Sequence, residues 1–262
     1  MKCKALLPFI LCLVLLVSCG KKTTDQNSGK KLANITPKQM IAILKDQTFE
    51  CESINGGVCP EGVARVFVVD ENNPTQTGLC SGFLASSNRL VTNQHCISDA
   101  NDCNRTHIAI YGGGSYEVAQ CKTLLAVEND SEELYNKATD YAVIELDRHI
   151  FSVQPLRSAR PRPSLSEELS AWVIDHLNLY TARITELKCK LKKFGPSIEL
   201  STCAAISGNS GSPVLNSNGE FVGVLWGSNT EDYINEETPL DERRLLEVES
   251  YVTDLKYFRK FL

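Results

Sequence analysis

The sequence predicts an all-β fold of barrel or sandwich type. From Val63 onward, short runs of β-branched and aromatic residues recur with turn-forming residues between them, a pattern of many short strands. A proline-rich stretch with few apolar residues covers 154–168, with Pro155, Pro161 and Pro163, and is the best candidate for a linker between two parts. No internal repeat is visible, and a composition of 42% hydrophobic and 23% charged residues over 262 positions is that of a globular chain. A formal net charge of −5 argues against nucleic acid as a partner.

Ahead of the strands lies a different kind of segment. Lys2 and Lys4 precede an apolar run over residues 5–17. The run is too short for a comfortable membrane span and right for the core of an export signal. It ends in Leu16-Val17-Ser18-Cys19, which resembles a bacterial lipobox. That resemblance implies a signal peptide over 1–18, lipid on Cys19, and attachment of the mature protein to a membrane of the bacterial cell envelope. Gly20, in place of an acidic residue, points to the outer membrane. The alternative is an ordinary secretory signal that happens to hold a cysteine. Either fits the 11 cysteines, a high count for a reducing cytosol. Residues 19–35 read as a polar, flexible tether. Thr36 and Pro37 then suit the N-cap and first position of a helix whose apolar side is Met40, Ile41, Ile43 and Leu44.

Strands are expected over 63–69, then over 81–85 and 89–92 around the turn Ser86-Ser87-Asn88. Further runs follow at 107–111, 116–118, 124–127 and 141–146. Beyond the proline-rich stretch they resume at 171–174, 181–188, 198–202, 213–215 and 221–226. Residues 229–242 are acidic and read as a loop, and 251–261 as a last strand end followed by a C-terminal helix.

Three short motifs carry the chemistry. Gly208-Asn209-Ser210-Gly211-Ser212-Pro213 sets a serine between glycines. Such a turn can push a hydroxyl outward and aim the N–H groups of Gly208 and Ser210 at one point. Taken alone, a cluster of this composition is more often a plain surface turn. Upstream, Val91-Thr92-Asn93-Gln94-His95-Cys96 puts a histidine at a strand end, and Cys80 lies across the apparent hairpin from Cys96. A Cys80–Cys96 bridge would anchor the backbone at His95. Thr139-Asp140-Tyr141-Ala142-Val143-Ile144 sets an aspartate directly before an apolar strand.

In the order His95, Asp140, Ser210, these motifs resemble the chymotrypsin-like serine peptidases, over 63–262. The order differs from that of the α/β-hydrolases, in which serine comes first. Thr92-Asn93-Gln94-His95 and the Gly208–Pro213 turn are most similar to the bacterial glutamyl endopeptidase branch. The resemblance implies two packed six-stranded antiparallel β-barrels, at about 60–150 and 169–252, within a domain spanning 36–262. It implies a serine endopeptidase acting on protein or peptide substrates without a cofactor. Ser210 would be the nucleophile, His95 the base, Asp140 its orienting partner, and the Gly208 and Ser210 N–H groups the oxyanion hole.

Two departures bear on activation and specificity. Asn209 stands where digestive members carry an aspartate that pairs with a new terminal amine. Leu225 and Ala205 stand where the glutamyl branch carries the histidine and threonine that recognise a substrate carboxylate. Pocket walls of Ala204, Ala205, Leu225, Trp226 and Gly227 favour an uncharged, apolar residue before the scissile bond. An acidic residue reaching in from 231–237 would instead favour Lys or Arg.

His107, His149 and His176 show no metal-ligand spacing, and no metal is expected. The eight cysteines after Cys19 allow 105 pairings. Cys80–Cys96 is favoured, while Cys51–Cys59, Cys103–Cys121 and Cys189–Cys203 follow from nearness in sequence. A catalytically inactive relative that keeps the fold and binds a protein partner is the competing reading.

Overall fold

In this computed structural model the described residues are Ala42 and 48–54, 56–70, 77–113, 115–129, 139–165, 167–175, 181–229 and 248–262. The signal segment with Cys19, the tether, the expected N-terminal helix (Ala42 apart) and the acidic loop lie outside them, as does His176.

Two closed barrels organise the strands. The first holds β2 (Val63–Val69), β3 (Thr77–Ser86), β4 (Arg89–Thr92), β5 (Thr106–Gly112), β6 (Ser115–Asn129) and β7 (Asp140–Leu146). They close in the order β2-β3-β4-β7-β6-β5. The second holds β8 (Glu168–Asp175), β9 (Thr181–Phe194), β10 (Ile198–Ser201), β11 (Pro213–Leu215), β12 (Phe221–Ser228) and β13 (Glu249–Asp254). Its order is β9-β10-β13-β12-β11-β8, closed by a β8–β9 pairing. All these pairings are antiparallel. An extra strand, β1 (Thr48–Glu52), lies parallel on β9.

The pleat explains why the inner strands read as nearly continuous apolar runs, interrupted in β2 by the buried Arg65. Along β2, Ala64 and Val66 point into the first barrel with Leu84, Leu90, Ile108, Ile110 and Ile144. Val63, on the other face, joins Phe83, Val91, Tyr141 and Val143 against Trp172, Ile174, Phe221 and Phe258. Strands buried on both faces have no polar face to alternate with. Phe83 of the first barrel meets Phe221 of the second at 4.8 Å between ring centroids. Each such fully buried side chain contributes about 1.5–3 kcal/mol, so this shared layer fixes how the barrels dock.

The proline-rich stretch runs along that layer and bonds to both barrels. The Leu156 N–H donates to the Leu84 carbonyl, and Ala159 and Arg157 exchange bonds with Phe221. All four cysteine pairs named from the sequence are bridged: Cys51–Cys59, Cys80–Cys96, Cys103–Cys121 and Cys189–Cys203.

Several elements differ from expectation. The runs at 116–118 and 124–127 are one strand, β6, whose ladder to β7 shifts register between Cys121 and Thr123 and between Leu124 and Ala126. Those irregularities break the alternation and hide its continuity. The C-terminal helix takes the form of two 3₁₀ turns, Leu255–Tyr257 and Arg259–Phe261. The polar strand β1 and a short helix α1 (Ala100–Asn104) carry no clear sequence signal. Helix α1 is capped by Asp99, whose carboxylate accepts from the Asn101 and Asp102 N–H groups.

Candidate active site

The site lies where the two barrels meet. Strand β4 ends at Thr92, and the chain turns sharply through Asn93, whose carbonyl accepts from the Cys96 and Ile97 N–H groups. That turn presents His95 at the surface while Cys96, its neighbour, is buried and bridged to Cys80. Strand β7 opens at Asp140, which is wholly buried. Its Oδ2 accepts from His95 Nδ1 at 2.7 Å, and its Oδ1 from the Gln94 N–H at 2.7 Å and the His95 N–H at 3.3 Å. A bond at Nδ1 puts the ring proton there and leaves Nε2 as an acceptor.

The backbone of Asp140 is held just as firmly. The Asn93 amide donates to its carbonyl at 2.7 Å. One hydroxyl from the second barrel, Thr253 Oγ1, accepts from the Asp140 N–H at 2.9 Å and donates to its carbonyl at 3.2 Å. Thr253 is fully buried on β13. Neither this role of Asn93 nor that of Thr253 is legible in the sequence. Asn93 sits inside the histidine motif, whereas nothing around Thr253 marks it.

Ser210 sits half-buried in the turn between β10 and β11. Gly208 and Gly211 flank it at φ +85° and +93°, values that only glycine adopts without strain. Asn209 closes the turn from within. Its Oδ1 accepts from the Ile206 N–H at 3.0 Å, its own N–H donates to the Ile206 carbonyl at 3.0 Å, and its Nδ2 donates to the Ile174 carbonyl at 2.9 Å. Gly211 and Leu225 tie the turn to β12 through the bonds Gly211 N–H to Leu225 carbonyl and Leu225 N–H to Ser212 carbonyl.

The turn also reaches across to the first barrel. The Ser81 N–H on β3 donates to the Ser210 carbonyl at 2.7 Å. A Cβ on Gly211 would lie 1.8 Å from the Ser81 carbonyl oxygen and 2.6 Å from Thr92 Oγ1. His95 and Ser210 are thus mounted on two frames locked together at Ser81, Thr92 and Gly211. Among the described residues no hydrogen bond joins His95 to Ser210. Such bonds are often long in ligand-free sites and tighten when substrate fills the gap.

Beside the turn, Ala204, Ala205, Leu225 and Trp226 are buried, and Gly227 is partly exposed. Leu225 and Ala205 belong to the second barrel's apolar core with Val214, Val222 and Val252. The carbonyl of Ala205 accepts from Ser228 Oγ at 2.8 Å, and that of Cys203 from Ser250 Oγ. Trp226 stacks on Tyr251 at 5.2 Å. No carboxylate or imidazole is among these groups.

The other described histidines lie elsewhere. His107 is buried on β5 beside Gln120, and burial lowers its pKa below the ordinary value. His149 bonds Ser87 Oγ on the surface. Among the described residues the one grouping of possible metal donors is Cys80, His95 and Cys96. Two of these are the halves of a disulfide, which leaves His95 as a single donor.

Chemically, a buried carboxylate orients an exposed imidazole on one barrel, and a turn locked to that barrel carries a half-buried hydroxyl. Such an arrangement can activate the hydroxyl for attack on a carbonyl.

Known proteins carry the same frame. The family described as "Trypsin-like peptidase domain" matches residues 80–224, more than half of the chain and all three site residues. A serine endoprotease from Yersinia pestis is similar in structure, with a TM-score of 0.53 at 18% sequence identity over 76% of this chain. That match covers 61% of the Yersinia pestis chain, so the present chain spans less than two thirds of it. The active form of the Rv3671c protease from M. tuberculosis matches with a TM-score of 0.50 at 14% identity, over 76% of this chain and 78% of that one. At such identities the likeness to the solved structures is one of fold.

Proposed function

From the premise that the chain belongs to the trypsin-like peptidase family and is a serine peptidase, we propose that it is an endopeptidase working through His95, Asp140 and Ser210. The observation that carries this reading is the grip of the buried Asp140 on His95: one oxygen on Nδ1, the other on two backbone N–H groups. A merely structural aspartate would have no need to fix the tautomer of an exposed imidazole.

The reaction then runs in two halves. Ser210 Oγ attacks the scissile carbonyl carbon as its proton passes to His95 Nε2. The Gly208 and Ser210 N–H groups stabilise the oxyanion, a contribution of about 3–4 kcal/mol per donor in comparable sites. Collapse of the intermediate expels the amine, which takes the proton from His95 and leaves an ester on Ser210. Water, deprotonated by His95, attacks that ester and releases the acid. Asp140 stays ionised and stabilises the imidazolium in both halves.

The substrates follow from the groups beside the turn. The chain resembles the glutamyl endopeptidase branch in its motifs, but among the described residues the groups beside the turn include no charged side chain to meet a carboxylate. Burying one there would cost several kcal/mol, so cleavage follows uncharged, apolar residues. The Asn209 side chain is already bonded to the Ile206 N–H in its own turn and to the Ile174 carbonyl on β8, which supports activity without release of a new N-terminus. Profiling residues 20–262 on a peptide library tests both points. Wild type cleaves after apolar residues and the Ser210→Ala chain cleaves nothing. Dominant cleavage after glutamate refutes the pocket argument, and a chain that binds peptides without hydrolysing any favours the inactive-relative reading.

For location we propose a lipid anchor at Cys19 in the bacterial envelope, on the strength of the Leu16–Cys19 sequence. The Cys19→Ser chain should move from the membrane fraction to the soluble one or stall before processing. Unchanged membrane association would contradict the anchor.

A further inference from the structure

Ser81 lies on β3 of the first barrel, is fully buried, and touches the nucleophile turn of the second barrel twice. Its backbone N–H donates to the Ser210 carbonyl at 2.7 Å, and its side-chain hydroxyl donates to the Gly208 carbonyl at 3.1 Å. Its own carbonyl accepts from Thr92 Oγ1 at 2.7 Å. The two bonded carbonyls stand on either side of the peptide that carries the Ser210 N–H. One residue therefore grips the turn before and after an oxyanion donor. The backbone bond would be available to any residue at this position; the hydroxyl bond needs serine or a near equivalent. Ser81 is also linked to the other half of the site. Cys80 precedes it, Cys96 follows His95, and the two cysteines are bridged.

We propose that the Ser81 hydroxyl is a positioning residue for the oxyanion hole, holding the Gly208 carbonyl so that the neighbouring N–H donors stay aimed at the reacting carbonyl oxygen. The inference rests on Ser210 acting as the nucleophile. Gly208 has φ +85° and no side chain, so its torsions are set by the bonds its backbone makes, the one from the Ser81 hydroxyl among them. The peptide after Gly208 is held at its far end by the Asn209 N–H bond to the Ile206 carbonyl, so removing the hydroxyl loosens the Gly208 carbonyl end of that plane without releasing the whole turn. The loss falls on the transition state, because the full oxyanion charge exists only there. Ground-state binding of the substrate uses other groups and is unaffected.

The test compares wild type with Ser81→Ala and Ser81→Gly, both of which keep the backbone bond to Ser210, and with Ser210→Ala as a control. Rates are taken per folded molecule, with the folded fraction read by near-ultraviolet circular dichroism. Both Ser81 variants should lose about tenfold or more in kcat with KM within about twofold. Affinity for a peptide boronic acid, which forms a tetrahedral adduct on the nucleophile, should fall in parallel with kcat/KM. A kcat within about twofold of wild type, a rise in KM alone, or a loss that only tracks the unfolded fraction would overturn the proposal. The control separates the two layers of argument. A Ser210→Ala chain that still hydrolyses peptide removes the nucleophile assignment itself. An inert Ser210→Ala chain beside fully active Ser81 variants removes only the role of Ser81.

Discussion

Gly211 shows most directly how one residue sets the geometry of the site. Its φ of +93° already excludes other residues without strain, and the space for a Cβ is taken by the Ser81 carbonyl at 1.8 Å. Backbone cannot give way there without separating the barrels. Gly211→Ala should therefore cost about 3 kcal/mol or more of stability, and the surviving folded fraction should be nearly inactive. Denaturant unfolding paired with peptide hydrolysis checks both halves; a stable, active variant would mean that the barrels do not meet as described. At this scale the sequence was legible for residues that must be of one chemical type. The imidazole, carboxylate, hydroxyl and glycines of the site all stand in short motifs. The supports were not legible. Thr253 and Ser81 act through single hydroxyls that reach across the barrel interface, and a lone Ser or Thr in a strand looks the same whether or not a partner waits opposite.

At the level of elements, the strap formed by β1 and the loop after it is laddered on β9 and anchored beyond the ladder by a buried carboxylate of the second barrel. Glu186 on β9 accepts from Ser53 Oγ at 2.9 Å and the Ile54 N–H at 3.2 Å, while its other oxygen accepts from Ser170 Oγ and Lys188 Nζ at 2.8 Å each. Burial alone would raise its pKa, but the bonds from Lys188, Ser170 and Ser53 outweigh that and hold it below the ordinary 4.5. A carboxyl whose folded pKa is depressed adds stability that is present above 4.5 and lost as pH falls through the folded value. Glu186→Gln turns one acceptor into a donor facing donors. It should cost roughly 1–3 kcal/mol at neutral pH, speed proteolysis between Cys51 and Cys59, and flatten the acid limb of the stability curve. An unchanged acid limb in guanidinium unfolding would contradict the assignment. The strap was invisible in the sequence because Thr48–Glu52 is polar and mostly exposed. Apart from Phe49, which packs beside Tyr111 and Tyr116, its partner is the edge of another strand. The barrel strands were legible for the opposite reason: burial on both faces demands an apolar run, as in β2 and β7.

Across the whole molecule, function depends on docking two closed barrels in one orientation. The layer around Phe83, Phe221 and Phe258 supplies the bulk of that contact. Thr253 and Ser81 then tune it, each bonding from one barrel to a site residue on the other. The C-terminal 3₁₀ turns add cross-ties, with Arg89 donating to the Phe261 carbonyl at 2.7 Å and Arg259 to that of Ala159 at 2.6 Å. Two barrels were foreseeable from the motif order, but their docking was not, since it rests on side chains far apart in sequence. We propose that this docking makes Ser210 a nucleophile driven by His95 and Asp140. Reaction of the folded chain with a fluorophosphonate, followed by mapping of the adduct by mass spectrometry, decides it. One adduct per chain is expected, on Ser210, absent from Ser210→Ala and strongly reduced in His95→Ala. An adduct on another residue, or a folded wild-type chain that takes none, would contradict it.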